Sequence, residues 1–123
     1  MAEIVIADSK IPLDLLRRLC DAWFGDMVKI VVDVKREVIG LGGFLQADAE
    51  SLLIDSGSEQ KYIWGANIYP YNDLPDQRIE YSALINIRPH QDNPSMEIAD
   101  DDIKLKVKNL VEKYIINPDE TMV

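Results

Sequence analysis

The residues of this chain that can do chemistry fall into two groups. The first is Asn67, Ser82, Asn86, Arg88 and His90, spread over the stretch from Lys61 to Asn93. Read as two long strands, 61 to 69 and 79 to 88, this stretch sets Asn67 about opposite Ser82 and brings Asn67, Ser82, Asn86 and Arg88 to one sheet face. A guanidinium among amides can read a carboxylate or phosphate through paired hydrogen bonds. These four residues, with His90 just beyond, are the candidate site for a small anionic ligand. The competing reading has the amides satisfying loop backbone and Arg88 pairing with one of the nearby acids.

The second group is the run QADAE, residues 46 to 50. Small apolar and acidic residues alternate in it, which favours an extended backbone over a helix from 47 to 54. Extended, it projects Gln46, Asp48 and Glu50 to one side. Two carboxylates there, with Asp33 from a strand of the same hairpin set as the nearest third candidate, would suit Mg²⁺ or Mn²⁺, since hard cations take oxygen ligands. The plainer reading is a solvated strand face. His90 has no Cys or His partner at zinc spacing. Cys20 lies on the apolar stripe of a helix, where thiols are inert, so a Cys–His nucleophile is not expected. Gly40-Leu41-Gly42-Gly43 lacks the Lys and Ser or Thr of a phosphate loop, and its glycines read as a bulge.

The elements that must hold these residues follow from periodicity. EIVIA, 3 to 7, is a short edge strand. Leu13, Leu16, Leu19, Cys20 and Trp23 form the stripe of a helix over 12 to 24, which Gly25 ends. From 27 to 34 the period becomes two: Val28, Ile30, Val32 and Val34 share one face, and Lys29, Val31, Asp33 and Lys35 share the other. Residues 38 to 45 return as the second arm of a hairpin, and the Asp-Ser-Gly-Ser cluster marks the next turn. Tyr62, Trp64, Ala66 and Ile68, facing Ile79, Tyr81, Ala83, Ile85 and Ile87, make the core side of the long hairpin. An acidic loop over 89–101 leads to a helix from 102 to 116 with Ile103, Val107, Leu110, Val111 and Tyr114 inward, and 117–123 is a frayed tail.

The expected fold is α+β, a single domain over 1–123. An antiparallel sheet of four or five strands packs one face against the N-terminal and C-terminal helices. Its other face carries Val31, Ile63, Tyr69 and Leu84 beside the polar residues, apolar enough for a ligand cleft or a homodimer surface.

Composition bounds the partners. A net charge of −9 and a pI near 4.5 oppose a non-specific grip on nucleic acid, which needs clustered Lys and Arg. No apolar run approaches the roughly 20 residues that span a bilayer, and the start of the chain lacks the apolar region of a signal peptide. One cysteine permits no intrachain disulfide, which fits the cytoplasm.

Four phrases in this order, FGDMVKIVVDV (24 to 34), GLGGFLQADAESLLIDSGS (40 to 58), WGANIYP (64 to 70) and INIRPHQDNPSMEI (85 to 98), resemble a group of small prokaryotic proteins of unknown function. The resemblance implies no activity. Members of that group often carry His where this chain has Gln46, a departure that counts against a metal role for the segment. The functional expectation is a binding or assembly module whose second sheet face holds a small anionic ligand or a partner subunit, with no cofactor. The alternative is a divalent-metal-dependent enzyme of hydrolase type using Asp48 and Glu50.

Overall fold

The computed structural model describes residues 3–122. It holds β1 (Val5–Ala7), α1 (Leu13–Trp23), β2 (Val28–Asp33), β3 (Val38–Leu41), α2 (Gln46–Asp55), β4 (Ile63–Ile68), β5 (Ile79–Glu80) and α3 (Asp101–Tyr114). The strands form one sheet in the order β1-β3-β2-β4-β5, every neighbouring pair antiparallel. This is the expected α+β architecture.

β2 is the axis of the sheet because it is apolar on both sides. Val28, Ile30 and Val32 point to the first face, with Ile39, Leu41, Trp64, Ala66 and Ile68 from its neighbours. Leu16, Leu19 and Cys20 of α1 and Val107, Leu110, Val111 and Tyr114 of α3 pack over them. Each fully buried Leu, Ile or Val contributes about 1.5–3 kcal/mol, so this layer supplies most of the driving force. Asp100 starts α3 by accepting the amides of Asp102 (2.8 Å) and Ile103 (3.2 Å). Among the described residues no helix is long and apolar enough to cross a membrane.

On the second face Val31, Val38 and Ile63 lie beneath Ala49 and Leu53 of α2. The segment read as extended is therefore a helix. Gln46, Ala49 and Leu53 are its buried residues, at the i, i+3, i+7 steps of a helical face. The alternation of alanine with acids gave a spurious period of two within a run of good helix formers. Gly40 on β3 permits the contact: a Cβ there would lie 3.0 Å from Val31 Cγ2 and 3.4 Å from Ala49 Cβ.

The long strand expected from 79 to 88 is also corrected. Only Ile79 and Glu80 pair with β4, opposite Ile68 and Asn67, so Asn67 faces Glu80 and not Ser82. The chain then leaves the ladder through a single bridge, Ser82 to Glu97, and single helical turns at Leu84–Asn86 and Pro89–Gln91. Ile79 and Tyr81 still join the first-face core, but Ile85 packs on the second face and Ile87 is exposed.

The cause is Gly65. With no side chain at that position, Ala83 and Ile85 collapse onto the sheet, and a Cβ on Gly65 would meet Ala83 Cβ at 2.5 Å. The Asn86 side chain takes the place of a neighbouring strand. It accepts from Gly65 N at 2.8 Å and donates to Gly65 O at 3.0 Å and to Met96 O at 2.9 Å.

The acidic loop is docked around Asn93, whose amide donates to the carbonyls of Asn86, Ser95 and Glu97 and accepts from Ala99 N. The tail expected to fray is docked as well. Arg78, 3% exposed, donates to the carbonyls of Asn117 and Glu120, Arg17 donates to Met122 O, and Met122 is buried. Val123 lies outside the described residues.

Gly65→Ala should lower stability by about 1–3 kcal/mol, the cost of overpacking a closed layer. A urea midpoint unchanged in the variant would contradict the close approach.

Candidate functional site

The second face is covered from two sides and left open between them. α2 lies over β2 and β3, and the segment after β5 folds back over Gly65. Between them is a groove of about 460 Å³. Its floor is a row across the sheet: Lys29 of β2 is in register with Asn67 of β4, and Asn67 with Glu80 of β5. Residues directly opposite in antiparallel strands share a face, so the three side chains rise together. Leu45, Leu84 and Met96 line the walls and are exposed.

Hydrogen bonds fix the polar row. Gln46, the first residue of α2 and itself buried, donates to Ala66 O at 3.3 Å and Asn67 Oδ1 at 2.9 Å. Asn67 Nδ2 donates in turn to Glu80 Oε1 at 2.7 Å. Burial, reinforced by the neighbouring Glu80 carboxylate, holds the Tyr69 hydroxyl above its ordinary pKa. Lys29 stands over the Phe24 ring, 5.6 Å from its centre. Leu45 gives α2 no side-chain cap, and the first amides of the helix, at Gln46 and Ala47, belong to groove-lining residues.

Of the residues singled out from sequence, Asn67 and Ser82 line this groove. Asn86 and Arg88 are turned inward, at 0% and 2% exposure. Arg88 donates to Ile85 O and Gln60 O at 3.0 Å each and to Ile63 O, and stacks on Trp64 with 4.3 Å between guanidinium carbon and ring centre. Its donors serve these backbone carbonyls and, at 3.4 Å, Gln91 Oε1. His90 is exposed in the turn at Pro89–Gln91 and is not part of the groove lining.

The carboxylates proposed for a metal are separated by the helix. Two residues along a helix is a rotation of about 200°, so Asp48 is exposed while Glu50 turns toward Arg88. Asp33 is buried on β2, where its Oδ1 accepts from Lys35 N (2.9 Å) and Arg36 N (3.0 Å) to form the turn into β3. Its Oδ2 and Glu50 Oε2 are buried without a hydrogen-bond partner. Among the described residues no three His, Cys, Asp or Glu side chains converge into a group that could hold a metal ion.

Burial raises the Glu50 pKa, against the pull of Arg88 and the Gln60 side chain. Burial first, then the charges of Asp21 and Asp26, push the Cys20 thiol up to about 11, which keeps it protonated and inert.

The sequence reading missed Lys29, Gln46 and Glu80 as partners of Asn67. The signal for Lys29 was present, since the period of two over β2 sets it on the second face. Gln46 and Glu80 were hidden by the two segments whose backbone was misread.

A family model described as a protein of unknown function (DUF5674) matches residues 5–114. No curated protein and no solved structure matches the chain.

Asn86→Ala strips partners from both backbone groups of Gly65 and should cost about 3 kcal/mol in a denaturant titration. Glu50 supplies a pH signature. Its folded-state pKa lies above the ordinary 4.5, so its contribution to stability is full below that value and is lost as pH rises through the folded value. Glu50→Gln should therefore match the parent protein near about pH 4 and exceed it near about pH 7. A variant less stable at neutral pH would show that attraction to Arg88 outweighs the burial.

Proposed function

We propose that this chain, which belongs to DUF5674, a family of proteins of unknown function, is a small-ligand-binding module. Its ligand lies in the groove on the second sheet face and carries an anionic group on an apolar body. The observation that carries the reading is the groove itself, whose volume of about 460 Å³ is within the range of small-molecule sites. Apolar walls stand over a short row of fixed polar groups, the usual division between affinity and orientation.

Lys29 makes no ion pair among the described residues, and the uncapped start of α2 adds unpaired amides and the positive end of the helix dipole. Both favour a negative group at that end of the row. The groove offers recognition chemistry, and Arg88 supports it from beneath by holding the residues that form its wall. The lone buried Cys20 supports the cytoplasm as the compartment.

A second reading, self-association, is favoured by an aromatic ledge beside the groove. Phe44 is 58% exposed and Leu45 56%, with the Trp23 and Phe24 rings edge-on to Phe44 at 4.8 and 5.6 Å. An apolar surface of this kind on an acidic protein fits a second copy of the chain. Sedimentation velocity of Phe44→Ser separates the readings: loss of a dimer supports the ledge as an interface, and a monomeric parent protein removes it.

The ligand reading is tested by NMR titration with 4-methylpentanoate, a branched carboxylate. Perturbations should centre on Gln46, Ala47 and the Asn67 side chain, and Leu84→Asp should weaken binding by about tenfold or more, equivalent to about 1.4 kcal/mol. Perturbations centred elsewhere would refute the site.

A further inference from the structure

We infer that the ligand of this groove is an N-acyl amino acid: a secondary amide joins its apolar body to its anionic group, donating its N–H to Gln46 Oε1 and accepting from the Ser82 hydroxyl. This rests on the groove being a ligand site and goes beyond it by naming the linkage that the fixed polar groups read.

Two groups that can only accept set the direction of the hydrogen bonds in the row. Ala66 O is a backbone carbonyl, so the Gln46 atom 3.3 Å from it is the amide nitrogen. Glu80 is an ionised carboxylate, so the Asn67 atom 2.7 Å from its Oε1 is Nδ2, which leaves Asn67 Oδ1 to accept from Gln46 Nε2 at 2.9 Å. Both protons of Gln46 Nε2 are thereby engaged. The free group of that side chain is an acceptor, Oε1.

This oxygen opens on the groove. Gln46 is 6% exposed, and its Oε1 has no partner among the described residues. It is not one of the two side-chain oxygens, on Asp33 and Glu50, that are sealed from solvent without a partner. Gln46 lines the groove, so that is where the oxygen is reached. A ligand that covers it without offering an N–H or O–H leaves a buried acceptor unsatisfied, at a cost of about 1–3 kcal/mol. Neither a carboxylate nor an alkyl chain supplies that donor.

The opposite wall supplies the complement. Ser82 belongs to the segment after β5, across the groove from α2, and its hydroxyl has no partner among the described residues. A trans secondary amide points its N–H and C=O in opposite directions, so one amide lying across the groove donates to Gln46 and accepts from Ser82. Leu45, Leu84 and Met96 then meet the acyl chain.

The test is calorimetric titration of the full chain with N-(3-methylbutanoyl)glycine, with its ester analogue, in which an oxygen replaces the N–H, and with 6-methylheptanoate, the alkyl chain of equal length. The amide should bind at least about tenfold more tightly than either of the others. Gln46→Met should weaken the amide by about tenfold and leave the ester unchanged. Ser82→Ala should weaken amide and ester alike and spare 6-methylheptanoate. Equal affinity of the parent protein for the amide and the ester, or for the amide and 6-methylheptanoate, would overturn the amide linkage and leave the groove standing. That comparison needs no variant, so it decides even if Gln46→Met, which also loses the bond to Ala66 O, fails to fold. No binding by any of the three would overturn both.

Discussion

The structure depends on how β4 ends its ladder. One edge of β4 pairs with β2 along its whole length, but the other has a strand partner only at Asn67 and Ile68. Upstream, two side chains do what a strand would do: Asn86 takes both backbone groups of Gly65, and Arg88 takes the carbonyl of Ile63. Unpaired backbone groups buried at that edge would each cost about 1–3 kcal/mol. Closing the edge with side chains frees the chain from the pleat, and that freedom makes the rest of the site. A continuous strand from 79 to 88 would have extended the sheet. Instead the segment folds back over Gly65, and Leu84 and Met96 stand as a wall opposite the start of α2.

The clamp is a connected unit. Asn93 holds the carbonyl of Asn86, and Arg88 and Asn93 bridge through their backbones. Arg88 is further fixed by the face of Trp64. Glu50 enters this buried region from α2 with its pKa raised by burial, so its charge costs stability there at neutral pH. Buried polar groups cost least when satisfied, as Arg88 is by backbone carbonyls, whereas Glu50 Oε2 is buried without a partner.

Much of the fold was legible in the sequence, for identifiable reasons. α1, α3, β2 and β4 carry periods that placed their first-face residues, while β2 and β4 are buried on the second face as well. Trp64 and Cys20 went where their neighbours' spacing placed them. α2 was misread because helix and strand both accept alternating Ala and acid, and what decides is tertiary: Ala49 meets β3 at Gly40, and Ala49 and Leu53 pack in one cluster with Val31, Val38 and Ile63 of three strands. Residues 79 to 88 alternate except at Leu84, yet only Ile79 and Glu80 form strand. The alternation would put Tyr81 and Ile85 on one face, but the chain crosses over Gly65 between them, so Tyr81 packs on the first layer and Ile85 on the second. The tail was read as frayed because its anchor, Arg78, lies about 40 residues upstream in a loop without any period.

The same events divided the candidate site. Asn67 and Ser82 remained on the groove, while Asn86 and Arg88 were drawn beneath it, and the helical turn of α2 parted Asp48 from Glu50. The central claim is therefore that an asparagine side chain, and not a strand, closes the edge at Gly65. Native-state hydrogen exchange followed by NMR tests it most directly. The account predicts that the Gly65 amide exchanges as slowly as the amides of β2, with the Asn86 side-chain amide protons also protected. Rapid exchange at Gly65 with β2 still protected would contradict it.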